Sequence, residues 1–244
     1  MSGPALRATD VEAPTFALSN ARILDQLLKR RFRSTVETWE RKHGRPAPWR
    51  ATDSAWAILV SELLLQRTRY EQVARVVPNL LAKYPTPEAL ARAPRSEVAE
   101  IAAPLGLERR IDVLRDCASR IAQQHKGRVP RDLESLLALP GVGNYVARAT
   151  RYLAFGESAG VVDVAIGRML RRVFGLRTTI DAGYDRELWA LSEWLSGDSG
   201  AEYFCGLVDI AGELCRPNPR CGKCPIAVEC AYAVRGDERL AAHS

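Results

Sequence analysis

The segment DLESLLALPGVGNYVARATRYLAF, residues 132–155, predicts a helix, a tight turn and a second helix. Three leucines give the first helix an apolar face, and Pro140 ends it. Gly141 and Gly143 then permit backbone geometry that a side chain would block, and they leave the next helix's first amides exposed. Exposed amides at a helix start bind anions such as a DNA phosphate. An ordinary αα-turn is the alternative, but the pattern favours DNA contact by Gly141, Gly143 and Asn144.

Four cysteines lie close together near the end of the chain in the pattern C-x5-C-x2-C-x5-C: Cys215, Cys221, Cys224 and Cys230. Thiolates grouped in this way bind zinc or an iron–sulfur cluster. Zinc sites usually contain two CxxC-like pairs, whereas this segment contains one. The spacing therefore favours a [4Fe–4S] cluster as the cofactor.

The composition is that of a protein with a substantial core and a modest excess of positive charge. The chain has 244 residues, 47% of them hydrophobic, a net charge of +6 and a pI of about 9.1. The size allows one or two domains, and the charge fits a nucleic-acid partner. No apolar run reaches membrane-spanning length, and the first residues do not resemble a signal peptide. We expect a cytoplasmic, nucleoid-associated monomer without a membrane partner.

The remaining sequence predicts an all-α fold of ten or more short helices, after a flexible tail at 1–15. Helical patterns bounded by prolines cover residues 54–67, 70–83, 86–92, 95–102, 109–125 and 132–139. Within the first of these, Glu62 and Gln66 are four residues apart, so they share a face away from the apolar stripe.

Asp163 precedes a helical pattern in GVVDVAIGRMLRRVFG, at the position of an N-cap. Capping alone would explain the residue. The preceding Val161 and Val162 suggest a partly buried approach, where a carboxylate would stabilise a cationic sugar. Capping and catalysis are compatible, because the cap hydrogen bond helps to keep the carboxylate ionised.

Together these features resemble the helix–hairpin–helix DNA glycosylases of the endonuclease III superfamily. The resemblance covers about residues 35–232 and is closest to the mismatch branch, which includes adenine and thymine-mismatch glycosylases. It rests on the four-cysteine segment and on four motifs: HGRPAPWR (43–50), SELLLQRT (61–68), LPGVG (139–143) and VVD (161–163).

The resemblance implies two helical domains with a DNA-binding cleft between them. Residues 48–157 would form a six-helix barrel that carries the hairpin. Residues 16–47 and 158–240 would form the second domain, with the iron–sulfur cluster loop. The partner would be double-stranded DNA with a mispaired or damaged base, and a monovalent cation would bind at the hairpin.

The resemblance also implies roles for individual residues. Asp163 matches the catalytic carboxylate, and Glu62 matches the pocket glutamate of the mismatch branch. Gln66 matches the residue that fills the gap left by the flipped base. Leu107 falls where the family inserts a wedge beside the estranged base. Tyr145 occupies a position that varies with activity among family members.

Two departures from the family pattern bear on function. The first cysteine gap is one residue shorter than the usual C-x6-C. Bifunctional members carry a lysine at the position of Tyr145, which forms a Schiff base, whereas adenine glycosylases usually carry serine there. Tyrosine at this position is typical of the thymine-mismatch glycosylases. No lysine occurs between Lys126 and Lys223, so this region has no amine nucleophile for strand cleavage.

The predicted function is therefore hydrolysis of the N-glycosidic bond of thymine or uracil opposite guanine, without AP lyase activity. A MutY-like adenine glycosylase acting on A:G or A:8-oxoguanine is one alternative. The end of the chain at residue 244 disfavours it, because MutY proteins usually have a further C-terminal domain. An endonuclease III-like enzyme for oxidised pyrimidines is a second, and a non-catalytic DNA-binding module is a third.

Overall fold

The computed structural model describes residues 21–106 and 108–235, which contain twelve α-helices and no strand. This confirms the predicted all-α class. The helices are α1 Ala21–His43, α2 Ala55–Leu65, α3 Tyr70–Lys83, α4 Pro87–Arg92, α5 Arg95–Ala102, α6 Glu108–Gln124, α7 Leu133–Leu137, α8 Asn144–Phe155, α9 Val164–Phe174, α10 Arg186–Ser196, α11 Ala201–Asp209 and α12 Ala231–Arg235. None of them is long and apolar enough to cross a bilayer, within the part of the chain described. The predicted tail at 1–15 lies outside the described residues.

The described residues form two compact units. One, the continuous unit, is Gly44–Ala159; the other, the discontinuous unit, combines residues from 1–43 and from 160–244. The boundaries fall a few residues from the predicted 47/48 and 157/158. The continuous unit holds seven α-helical segments, α2 to α8, where the resemblance implies six, and α7 has only five residues.

The centre of the continuous unit is α2, which packs against α3 and α8. Ser54 caps this helix, because its Oγ accepts the Ala57 amide at 3.2 Å. Every residue from Trp56 to Leu64 is buried. A helix that is apolar around most of its circumference is stable only when it is enclosed, and α2 meets that condition.

Pro78 lies inside α3, whose bounds agree with the helical pattern predicted at 70–83. An internal proline removes one backbone hydrogen bond and costs about 3 kcal/mol in an isolated helix. Three valines and Leu80 of the same helix are buried at 4% exposure or less. Their burial offsets the local cost, so the helix continues through the proline.

The discontinuous unit is built around a pairing of α1 with α11, and α9 packs against α10 and α12. The ring of Phe32 lies at its centre, 5.6 Å from the Phe174 ring and 6.4 Å from the Tyr203 ring. The chain leaves α11 through a π-helical turn, Ile210–Leu214, that leads directly into Cys215. This unit therefore carries α9 and the cysteine segment on one shared core.

Candidate functional site

Asp163 caps the N-terminus of α9, as its position in the sequence predicts. Its Oδ1 accepts the Ile166 amide at 2.7 Å. The approach is buried, since Val161 and Val162 are 1% and 3% exposed. The carboxylate is thus fixed by the helix that it begins, at the end of a buried extended segment.

The cap hydrogen bond lowers the pKa of Asp163, as the sequence predicts, but desolvation acts against it. Burial raises the pKa of this carboxyl above the usual aspartate value, because the charged form loses hydration. The amides of Ile166 and Ala165, and then Arg168, act in the opposite direction and lower the pKa. The net shift is upward, so desolvation outweighs the cap. Shifts of this kind cluster at functional sites.

The backbone before Asp163 is held by α10. The Gly160 amide donates to Glu193 Oε2 at 2.6 Å. Ser192 Oγ accepts the Val161 amide and donates to the Val161 carbonyl, both at 2.9 Å. Neither Ser192 nor Glu193 belongs to a recognisable motif, and the bonded residues are 31 or more positions apart in the chain. No local sequence signal marks this contact.

Two arginines of α9 connect that helix to the cysteine segment, and the motifs do not identify either of them. Arg168 Nε donates to the Cys215 carbonyl at 2.8 Å. Arg172, only 2% exposed, donates through Nη1 to Cys215 Sγ at 3.7 Å and to the Arg216 carbonyl at 2.6 Å. Its Nη2 donates to the Pro217 carbonyl at 3.0 Å. The short first arm between cysteines is therefore anchored to a buried guanidinium.

The four cysteines line one cavity, together with residues of α9 and α12. Within residues 21–106 and 108–235, no three His, Cys, Asp or Glu side chains converge on a point that would hold a single metal ion. Four cysteine thiols around one cavity match the donor set of a four-iron cluster, in which each cysteine binds a separate iron.

The thiols of this cavity are partly removed from water. Burial raises the pKa of Cys224 to about 11, and it raises the pKa of Cys215, where the Arg172 guanidinium acts in the opposite direction. A group that binds here as a thiolate complex would displace these protons. Cys117 and Cys205 are buried elsewhere, as expected for core residues.

Glu62 lies within α2 of the continuous unit and is only 3% exposed. Gln66 follows the last residue of that helix as its C-cap, with a non-helical backbone, and is exposed. The helical pattern predicted at 54–67 thus ends two residues earlier in the structure, at Leu65. A buried acidic side chain in a mostly apolar helix is costly, which is typical of a functional position.

Gln66 nevertheless contacts the hairpin, because its Nε2 donates to the Gly141 carbonyl at 3.0 Å. The hairpin turn between α7 and α8 requires glycine at position 141. Its φ is +77°, and a Cβ there would lie 2.4 Å from Val113 Cγ1. The structure thus joins the predicted gap-filling residue to the predicted phosphate-binding turn.

Gly143 behaves differently from the prediction that its backbone excludes other residues. It has an extended backbone, φ −93° and ψ −179°, and a Cβ would meet no atom within 4 Å. It is the N-cap of α8 but makes no side-chain cap. Its lack of a side chain leaves the first amides of α8 open, as a bound phosphate would require.

Asn144 and Tyr145 form the first turn of α8. Asn144 is exposed, whereas Tyr145 is half-buried and packs against the core of the continuous unit. Glu62, Gln66 and Tyr145 all belong to this unit, whereas Asp163 belongs to the discontinuous one. Leu107, the predicted wedge, lies outside the described residues.

A helix–hairpin–helix turn with open amides, followed along the chain by a capping carboxylate at a helix start, is the arrangement of an all-α DNA glycosylase. A model of the HhH-GPD superfamily of base excision DNA repair proteins matches residues 60–193, more than half of the chain. The chain belongs to this superfamily.

Individual relatives agree with this assignment. The chain is 33% identical over 217 residues to a thymine/uracil-DNA glycosylase of Pyrobaculum aerophilum, covering 86% of this chain and 94% of the relative. It is 35% identical over 194 residues to an adenine DNA glycosylase of Mycobacterium tuberculosis, covering 77% and 63%. The solved structure of a thermostable thymine-DNA glycosylase matches with a TM-score of 0.80 and 32% identity, covering 86% and 99%.

Proposed function

We propose that this protein is a monofunctional DNA glycosylase that hydrolyses the N-glycosidic bond of thymine or uracil mispaired with guanine. The observation that carries the proposal is Asp163, a half-buried carboxylate held at the start of α9. The likeness to relatives named thymine/uracil-DNA glycosylase, over 86% and 82% of this chain, supports the choice of base.

The proposed chemistry begins with extrusion of the mispaired base from the duplex, which costs less than extrusion of a paired base. As the glycosidic bond breaks, positive charge develops on the sugar. Asp163 stabilises that charge and helps to position the attacking water. The carboxylate must be ionised for this role, and the Ala165 and Ile166 amides and Arg168 favour that form.

Residues of the continuous unit recognise the DNA in this proposal. Glu62 hydrogen-bonds the extruded base or assists its departure, since it is buried and able to act as an acid or a base. Gln66 fills the gap in the duplex, and Leu107 lies beside the estranged base. The open amides of α8 bind a phosphate, with Asn144 exposed beside them. A monovalent cation at the hairpin remains part of the proposal.

The absence of lyase activity follows from the lack of an amine. Tyr145 occupies the position where bifunctional relatives place a lysine, and no lysine lies between Lys126 and Lys223 in the sequence. Without an amine nucleophile in this region, a Schiff base with the sugar cannot form there. The product would be an abasic site with an intact strand.

The cofactor in this proposal is a [4Fe–4S] cluster held by Cys215, Cys221, Cys224 and Cys230. When bound, it would cross-link the cysteine segment and stabilise the discontinuous unit. Arg172 contributes a donor to Cys215 Sγ and holds the first arm through two carbonyls. Iron and sulfide analysis of the purified protein, with its visible absorption, tests this part.

The test of function is excision from duplexes that carry T:G, U:G, A:G, A:8-oxoguanine or thymine glycol, each analysed with and without alkali. We expect cleavage of the T:G and U:G strands only after alkali. Release of adenine would instead favour the second activity found among the relatives, which include adenine DNA glycosylases. Strand breaks without alkali would contradict the monofunctional assignment.

A further inference from the structure

The segment that leads into Asp163 has no regular secondary structure, so its backbone needs partners outside itself. It finds them on a single turn of α10. Gly160 donates to Glu193, and both polar groups of Val161 bond to the hydroxyl of Ser192. Three hydrogen bonds to two adjacent side chains therefore fix two successive residues.

The approach of this segment to α10 is close enough to exclude a side chain. A Cβ on Gly160 would lie 2.7 Å from the Glu193 amide nitrogen and 2.9 Å from its Cα. Ser192 is 1% exposed, so its hydroxyl has no access to bulk water as an alternative partner. Loss of that hydroxyl would leave the buried Val161 amide and carbonyl unpaired.

Electrostatic stabilisation depends strongly on position, because a misplacement of about 1 Å can reduce a rate about a hundredfold. Asp163 is held on its C-terminal side by the α9 cap and on its N-terminal side by α10. We propose that Ser192 and Glu193 are positioning residues, which hold the Gly160–Val161 backbone so that the Asp163 carboxylate reaches the reacting sugar. This inference rests on the proposed role of Asp163.

The proposed effect is geometric. Removal of the α10 contacts would lower the rate of the chemical step, because the backbone that leads into Asp163 would lose its fixed position. DNA affinity should be retained in Ser192→Ala, because the contact of Ser192 with Val161 is buried in the unit's own core.

The decisive variant is Ser192→Ala, with Ser196→Ala as the matched control. Both serines are 1% exposed and lie on α10 four residues apart, but Ser192 bonds to Val161. For each protein we would measure the melting temperature, the Kd for mismatched duplex and the single-turnover excision rate. Glu193→Ala and Glu193→Gln form a second pair, because glutamine keeps an acceptor for the Gly160 amide.

We expect Ser192→Ala to lower the single-turnover rate about tenfold or more while the Kd stays unchanged. Ser196→Ala should keep the wild-type rate even if its melting temperature falls as far. Glu193→Gln should recover most of the rate that Glu193→Ala loses. Equal rates for the two serine variants, or a matching change in Kd, would overturn the inference.

Amide hydrogen exchange gives a readout that does not depend on activity. Exchange of the peptide that contains residues 160–163 should speed up in Ser192→Ala and not in Ser196→Ala. An unchanged exchange rate of this peptide in Ser192→Ala would show that Ser192 does not hold the Gly160–Val161 backbone, and would overturn the inference. A wild-type protein that releases no base from any duplex would overturn the proposed function, whereas the exchange result would still decide the contact.

Discussion

The α8 and α9 helices both begin at a residue with an extended backbone, but only α9 has a side-chain cap. Gly143 before α8 has φ −93° and ψ −179°, and Asp163 before α9 has φ −126° and ψ −173°, so both are extended. The α8 start has no side-chain cap, whereas Asp163 Oδ1 accepts the Ile166 amide at 2.7 Å. The first amides of α8 are open to an external acceptor, whereas at the start of α9 the Ile166 amide donates to the carboxylate of Asp163.

This difference shows how one type of local structure serves two purposes. An uncapped helix start keeps its amide donors for an external anion such as a phosphate. A capped start holds an internal anion in a fixed place, even where burial disfavours the charge. In the proposed enzyme, the open amides of α8 bind a phosphate of the DNA strand, and α9 supplies the carboxylate that stabilises the charge on the sugar.

Asp163→Asn is the change with the largest expected effect. Asparagine caps a helix about as well as aspartate, so the start of α9 should remain intact. The charge that faces the developing cation is lost, and single-turnover excision should fall at least about 10²- to 10³-fold. Excision assays and binding measurements on the same mismatched duplex check this expectation.

The binding measurement is the control, since removal of a negative charge should leave DNA affinity equal or higher. Because burial raises the pKa of Asp163, its ionised form opposes folding, so the asparagine variant should be at least as stable at neutral pH. Retained excision in a folded variant would show that another group supplies the charge.

The acid limb of the excision rate is the next largest effect. The raised pKa of Asp163 means that the carboxyl stays protonated to a higher pH than an ordinary aspartate. The rate should fall as pH drops through that raised value, by about tenfold for each further unit. Single-turnover rates between about pH 4 and pH 8 measure the midpoint. A midpoint at or below the usual aspartate value would contradict the upward shift.

The features that define the two helix starts can largely be predicted from the sequence, because they depend on local signals. The Pro140 stop, the Gly141 turn and the Asp163 cap act within a few residues of themselves, and the structure shows each one. Bounds of most helices were predicted to within one or two residues for the same reason. The local signals do not explain why α3 tolerates Pro78, because the burial of the neighbouring valines depends on the tertiary structure.

The long-range contacts could not be predicted in this way. Ser192 meets Val161 across 31 positions, and Arg172 meets Cys215 across 43. A buried serine or arginine in a helix has no sequence pattern that distinguishes it from an exposed one. The end of α2 at Leu65 was likewise missed, since the apolar pattern continues up to Gln66 without a proline or glycine.

Alanine at the two hairpin glycines should separate their roles. Gly141→Ala forces a left-handed backbone on alanine and pushes a Cβ towards Val113, so we expect a loss of about 1–3 kcal/mol of stability. Gly143→Ala meets open space with an extended backbone and should be close to neutral. Denaturant unfolding of both variants measures the difference, and equal losses would contradict the distinct geometry of the two positions.

Gly143→Asp would give α8 the same kind of start as α9, and we expect the smallest of these effects. The aspartate fits, because a Cβ there meets no atom within 4 Å, and as a cap it should add at most about 0.5 kcal/mol of stability. It would also occupy the amides and repel a phosphate, so DNA affinity should fall about tenfold.

Gly143→Ala is the control for this last change, since alanine fills the same space without a cap or a charge. Its affinity should stay near that of the wild type, and the loss in Gly143→Asp should shrink as salt rises, because screening weakens the repulsion. An equal affinity for all three proteins would mean that the open amides of α8 do not bind DNA. The contrast between the two helix starts would then be structural only.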